Sequence, residues 1–128
     1  MKKLPIILVI SLLLIFLAPA CVTAGVEIEP IQGSGYHIEE GHYSDGENSL
    51  VVWGRVKNTS GWGYCAVVDA WVVDGNGYGE EIARYSESLG CLDEGEDKHF
   101  IISFRKDEKW EDAERPLKVF IRIGITTL

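Results

Sequence analysis

Ser49-Leu50-Val51-Val52-Trp53-Gly54-Arg55-Val56-Lys57-Asn58, followed by Thr59-Ser60-Gly61, decides the class of fold. Leu50, Val52, Gly54 and Val56 alternate with Val51, Trp53, Arg55 and Lys57, the period-two pattern of a strand with one face against a core. The Asn58-Thr59-Ser60-Gly61 run, rich in turn formers, ends it. The next segment, Tyr64 to Asp74, predicts a longer strand that is apolar on both faces, through Ala66, Val68 and Val72 and through Cys65, Val67 and Trp71. Such a strand belongs in the middle of a sheet. Asp74-Gly75-Asn76-Gly77 supplies residues that accept positive φ and reads as a hairpin turn.

Working outward, the same chemistry recurs about every ten residues. Glu81 to Ser86 is a weaker strand, and Leu89 to Glu96 a turn-rich connection. His99 to Arg105 places Phe100, Ile102 and Phe104 on one face, and Leu117 to Ile125 does the same with Leu117, Val119, Ile121 and Ile123. Pro116 stands where the last strand begins, a position proline tolerates. Between them Lys106 to Glu114 is polar, with room for one helical turn around Trp110. Val26 to Ile31 and Tyr36 to Glu40 are short candidate strands on either side of Gly33-Ser34-Gly35. No segment in this stretch carries a helical period. About seven strands in about a hundred residues predict an all-β fold, an immunoglobulin-like antiparallel β-sandwich.

The start of the chain sets the compartment. Met1-Lys2-Lys3, an apolar run from Leu4 to Ala18, and Pro19-Ala20-Cys21 have the charged start, short apolar stretch and small residues of an export signal. Cleavage before Cys21 would leave a cysteine for lipid attachment, with Ala20 as the small residue before it. Cleavage after Val22-Thr23-Ala24 would release a chain beginning at Gly25, and an uncut leader would act as a membrane anchor. All three place the domain outside the cytoplasm. The expected organisation is a leader over residues 1–24 and one β-sandwich domain over 25–128, a length that supports a single core.

Charge then excludes partners. Lys2 and Lys3 belong to the leader, so of 12 basic and 20 acidic residues the remainder carries ten and twenty, a net charge of −10. That surface repels nucleic acid and anionic headgroups, leaving the N-terminal anchor as the route to a membrane. Beyond the leader Cys65 and Cys91 form an even pair in an oxidising compartment. A bridge would close a loop of 26 residues, contributing roughly 3–4 kcal/mol in the chain-entropy account. The alternative is two buried thiols that pack as small hydrophobes.

The order of these motifs resembles the FxLYD-type domain, an immunoglobulin-like module of exported bacterial and archaeal proteins, often lipoproteins. The resemblance rests on Val52 to Ser60, a strand ending in an asparagine turn; on Val67 to Asp74 with Gly75-Asn76-Gly77; and on Leu92-Asp93-Glu94-Gly95-Glu96 before the strand holding Phe100. It covers about half of the chain after the leader. It implies a binding or scaffolding module and brings no catalytic residues. The chain is expected to be non-enzymatic, to need no cofactor, and to take an envelope protein as partner or, alternatively, a glycan met by exposed aromatics.

Candidate sites follow from residue chemistry. His37-Ile38-Glu39-Glu40-Gly41-His42 gathers zinc or copper ligand types, but in an unbroken strand His37 and Glu39 share a face that His42 leaves. Asp93, Glu94, Glu96 and Asp97 offer oxygen ligands for calcium, or simply a charged turn. Gly61-Trp62-Gly63-Tyr64 sets an indole between glycines, and Trp62, Tyr64, Trp53 and Tyr78 are candidates for a surface that stacks on sugars or anchors a protein. In the other reading Trp62 folds back to plug one end of the sandwich. Trp71 and Trp110 read as core or core edge. Asn58-Thr59-Ser60 is a glycosylation sequon in an exported chain. No Gly-x-Ser-x-Gly elbow is present, so nucleophilic catalysis has no sequence support.

Overall fold

A computed structural model describes residues 25–126. The leader and Cys21, with its choice of cleavage sites, lie outside the described residues. Seven strands appear in chain order: β1 (Val26–Pro30), β2 (Tyr36–Asp45), β3 (Ser49–Asn58), β4 (Tyr64–Val73), β5 (Glu81–Leu92), β6 (Asp97–Arg105) and β7 (Leu117–Thr126). A single helical turn, α1 (Glu108–Glu111), precedes β7. The strands form two sheets, β1-β7-β4-β5 and β2-β3-β6, packed face to face. The expected seven-stranded sandwich is thus present.

Alternation explains the packing. Leu50, Val52 and Val56 of β3 and Phe100, Ile102 and Phe104 of β6 face Ala66, Val68, Ala70 and Val72 of β4 and Leu117, Val119, Ile121 and Ile123 of β7, all buried. As the period predicts, β4 is central, flanked by β5 and β7. Gly54 belongs to the inward set of β3 and faces Phe100 of β6. A Cβ there would lie 2.9 Å from the Phe100 ring and 3.0 Å from the Glu39 carbonyl oxygen, so the ring occupies the room that the missing side chain leaves. Trp110 on α1 is buried at the core's edge against Phe104, with ring centroids 6.5 Å apart. Asp107 caps that turn by accepting from the Lys109 N–H at 3.0 Å.

Four expectations are corrected. The sandwich is not wholly antiparallel, because β1 runs parallel to β7. The chain crosses from one sheet to the other through Ile31 to Gly35, with Gly35 at φ +89°, which frees β1 to lie beside the last strand. The strand read as Tyr36 to Glu40 continues to Asp45, because a bulge between Glu39 and His42, with Glu40 at φ +58°, absorbs the local irregularity. β5 likewise runs through the turn-rich Leu89-Gly90 to Leu92, with a register shift and Gly90 at φ +75° where a turn was expected. The Asp74 hairpin exists but is seven residues long. Gly75, Asn76 and Gly77 take positive φ, and Asp74 closes the loop through its N–H to the Glu80 carbonyl (3.1 Å) and its Oδ1 to the Glu80 N–H (2.7 Å).

Candidate functional site

The four candidate aromatics do not form one surface. Trp62 lies in the β3–β4 loop and is 62% exposed, and Tyr78 lies in the β4–β5 loop and is 92% exposed. These loops stand at opposite ends of β4, separated by about 30 Å of strand. Tyr64 is not on the surface at all. It begins β4 in phase with Ala66 and Val68, is fully buried, and donates its hydroxyl to the Gly35 carbonyl at 2.6 Å. Burial, with Tyr36 nearby, pushes its phenol pKa up. Trp62 is exposed and does not plug the sandwich; Ser60 Oγ donates to its carbonyl at 2.7 Å and fixes the loop backbone.

Trp53 alone sits on a sheet face. It points outward from β3, directly opposite Ile101 of β6, and the two are 37% and 64% exposed. With Val51, Gly54, His99 and Phe100 they line a shallow groove of about 480 Å³. The His42 ring lies beside Trp53 at a centroid distance of 5.9 Å. Ions frame one side of this apolar strip. Arg55 meets Glu39 at 2.6 Å, Glu40 at 3.1 Å and Asp97 at 3.5 Å. The hydrogen bond to Glu39, then the charge of Glu40, raises the pKa of the guanidinium further. The groove is therefore carbon-lined with a single titratable lining residue, His99, and suits binding through shape and apolar contact.

The bulge in β2 alters the metal question without creating a site. His37 opposes Lys57 and His42 opposes Trp53, so the extra residue brings both imidazoles to the same outer face. They stand four β3 residues apart, about 13 Å, too far to share an ion. Among the described residues no three His, Cys, Asp or Glu side chains converge as metal ligands. The acidic run is a closed turn: the Asp93 N–H donates to Glu96 Oε1 (2.9 Å), the Glu96 N–H to the Asp93 carbonyl (3.0 Å), and Asp97 faces Arg55.

Asn58, the sequon residue, is buried and structural. Its exposure is 1%, and its Nδ2 donates to the carbonyls of Trp62 (2.9 Å), Asp93 (3.1 Å) and Leu92 (3.2 Å). Its Oδ1 accepts from the N–H and hydroxyl of Ser60. A glycan on Nδ2 would break these bonds. The signal was present in the strand period, which places Asn58 in phase with Leu50 to Val56.

Cys65 and Cys91 are bonded to each other and face one another across β4 and β5. The bridge lies on the outer side of the four-stranded sheet, where Cys91 is exposed. On the same outer face stands Trp71, neither in the core nor at its edge. It stacks on Phe120 (5.5 Å), and the Arg84 and Arg122 guanidiniums lie 4.6 and 5.2 Å from its ring. Asp69 holds both arginines, at 2.8 and 2.9 Å. The hydrogen bond to Glu81, with the charges of Asp69 and Glu81, outweighs the opposing effect of burial and raises the Arg84 pKa. Sequence reasoning missed this cluster, although Trp71 shares the phase of Cys65 and Val67.

No known protein-family profile matches the chain, and no curated protein does. Among solved structures it is similar to a β-glucosidase from Kluyveromyces marxianus in complex with glucose, at 14% identity and a TM-score of 0.49. The similarity covers 73% of this chain and 14% of that one. At that level it bears on neither activity nor ligand.

Proposed function

We propose that the chain is a non-enzymatic, exported β-sandwich module, tethered to the membrane at Cys21, that binds another protein of the cell envelope. The observation that carries the reading is the apolar strip of Trp53 and Ile101 on the outer face of β2-β3-β6. An exposed indole opposite an exposed isoleucine, bordered by ionised side chains, has the composition of a protein hot spot with a polar rim. The Cys65–Cys91 bridge fits an oxidising compartment, in agreement with export.

A photo-crosslinking residue at Val51, introduced into the full chain in intact cells, tests this. The expected product is one discrete adduct with a different polypeptide, lost in Ile101→Glu and missing when the crosslinker stands at Glu29 on the other sheet. Equal labelling from both positions, or none from Val51, overturns it. A second reading, a small carbohydrate-binding module, is favoured by one observation only: Trp62 offers a free indole on a loop whose backbone Ser60 and Asn58 hold in place. Glycan-array binding that disappears in Trp62→Ala would replace the first reading with this one.

A further inference from the structure

The sandwich has four edge strands, and three are protected against pairing. β1 is five residues long and ends in Pro30. β2 is broken by the bulge at Glu39 to His42, and β5 by two register shifts with Gly90 at positive φ. β6 differs. It pairs with β3 over nine residues without a register shift and contains neither proline nor glycine. β5 of the other sheet touches it at one end, where Lys98 Nζ donates to the Leu89 carbonyl at 3.1 Å. A long, regular edge is a template for another strand.

Which groups β6 offers can be read from the ends of its ladder. The Asn58 N–H donates to the Glu96 carbonyl (2.9 Å) and the Lys106 N–H to the Asn48 carbonyl (3.0 Å). Hydrogen-bonded pairs alternate along an antiparallel ladder, so even-numbered residues from 96 to 106 turn their backbone groups toward β3. Asp97, His99, Ile101, Ser103 and Arg105 turn theirs away, and the same five present exposed side chains on the outer face.

These five residues are self-complementary. We propose that β6 pairs with β6 of a second copy of this chain, antiparallel and centred on Ile101, joining two three-stranded sheets into one of six. Ile101 then meets the partner's Ile101 at the two-fold axis, His99 meets the partner's Ser103, and Asp97 meets the partner's Arg105 twice, once on each side. Opposite charges directly across a ladder stabilise it. Arg105 has no ion pair of its own among the described residues, and Asp97 has only the 3.5 Å contact with Arg55, so both are available. Sliding the partner by two residues either way sets Asp97 against the partner's Ser103 or His99 against the partner's Arg105, and parts the isoleucines. The centred register is the one in which every outer-face pair is complementary. It also runs Trp53, Ile101 and their symmetry mates into one continuous apolar stripe across the joined sheet. The inference stands apart from the envelope-partner reading, since pairing of copies requires no third protein.

The test uses two differently tagged copies of the full chain co-expressed in the cell envelope, each with a photo-crosslinker at Ser103. Wild-type copies should give a doubly tagged adduct. Asp97→Arg paired with itself sets arginine against arginine, and Arg105→Asp paired with itself sets aspartate against aspartate; each should lower the yield about ten-fold. Asp97→Arg co-expressed with Arg105→Asp restores both attractive pairs and should recover the adduct. Misfolding cannot imitate that recovery, because the same two variants produce it. Absence of the wild-type adduct, or a mixed pair no better than either variant alone, overturns the proposal. A heterologous adduct from Val51 is counted separately and leaves this result unaffected.

Discussion

The side-chain amide of Asn58, the last residue of β3, donates to the carbonyl of Leu92, the last residue of β5, at 3.2 Å. β3 and β5 belong to different sheets, so this bond ties the two layers together at one end. Asn58→Ala removes the amide donor from the buried Leu92 carbonyl, and leaves the Trp62 carbonyl only Ser60 Oγ and the Asp93 carbonyl only the Glu96 N–H. The expected loss is about 2–3 kcal/mol, seen as a fall in melting temperature of roughly 10–20 °C. Asn58→Asp should do no better, because a carboxylate cannot donate. A shift of a few degrees in either variant would show that water replaces the amide.

Gly54 makes the opposite kind of prediction, since adding an atom should hurt. A Cβ at 2.9 Å from the Phe100 ring forces the ring or the strand to move. Gly54→Ala should destabilise by about 1–3 kcal/mol despite alanine's lower backbone entropy cost. Pairing it with Phe100→Leu should return part of the loss, and denaturant titration of the two singles and the double measures the coupling.

Asp45 at the end of β2 accepts from Lys106, beyond β6, and from Arg115 (2.9 Å), just before β7. Burial alone would push its carboxyl up, but the hydrogen bonds and charges of Lys106 and Arg115 outweigh it and hold the pKa below the ordinary value. The unfolded chain thus binds a proton at higher pH than the folded one does. The stabilisation is full above the unfolded carboxylate value of about 4 and is lost as pH falls through the lower folded value. Melting temperatures from pH 7 to pH 2 should converge for wild type and Asp45→Asn at the acid end and separate above about pH 4. Parallel curves would remove Asp45 from the acid response.

The Cys65–Cys91 bridge lies on an open sheet face, so a thiol reductant should reach it in the folded protein without denaturant. Reduction, or Cys65→Ser with Cys91→Ser, should cost about 3–4 kcal/mol by the loop-entropy account. Urea midpoints of oxidised and double-serine protein measure it. Equal midpoints would mean that the β4–β5 pairing already confines the reduced chain.

Strand phase carried most of the fold into view from the sequence, and a close reading of it would have placed Tyr64 and Asn58 as well. Both follow the inward rhythm of their strands, while their neighbours in the chain, a Trp-Gly loop and a sequon, point to the surface. Trp71 shows the converse: its phase points outward, and what covers it is a pair of arginines from β5 and β7, contacts no local pattern encodes. The bulge at Glu40 and the shift at Gly90 were invisible for a different reason. One extra residue inverts the facing of everything beyond it, and only cross-strand register reveals which residue is extra. The groove around Trp53 and Ile101 joins residues 48 apart in sequence, brought together by the β3–β6 pairing.

The parallel pairing of β1 with β7 has a mechanical consequence. Val26 opposes Leu117, and Pro30 opposes Ile121, so Val26 and Thr126 lie toward opposite ends of the shared ladder. Tension applied between those two residues runs along the strands and across their hydrogen bonds, which must yield together. A hairpin pulled from its open end would surrender its bonds one at a time. A domain held by its N-terminal side and loaded through its last strand therefore resists pulling with its whole β1–β7 seam at once.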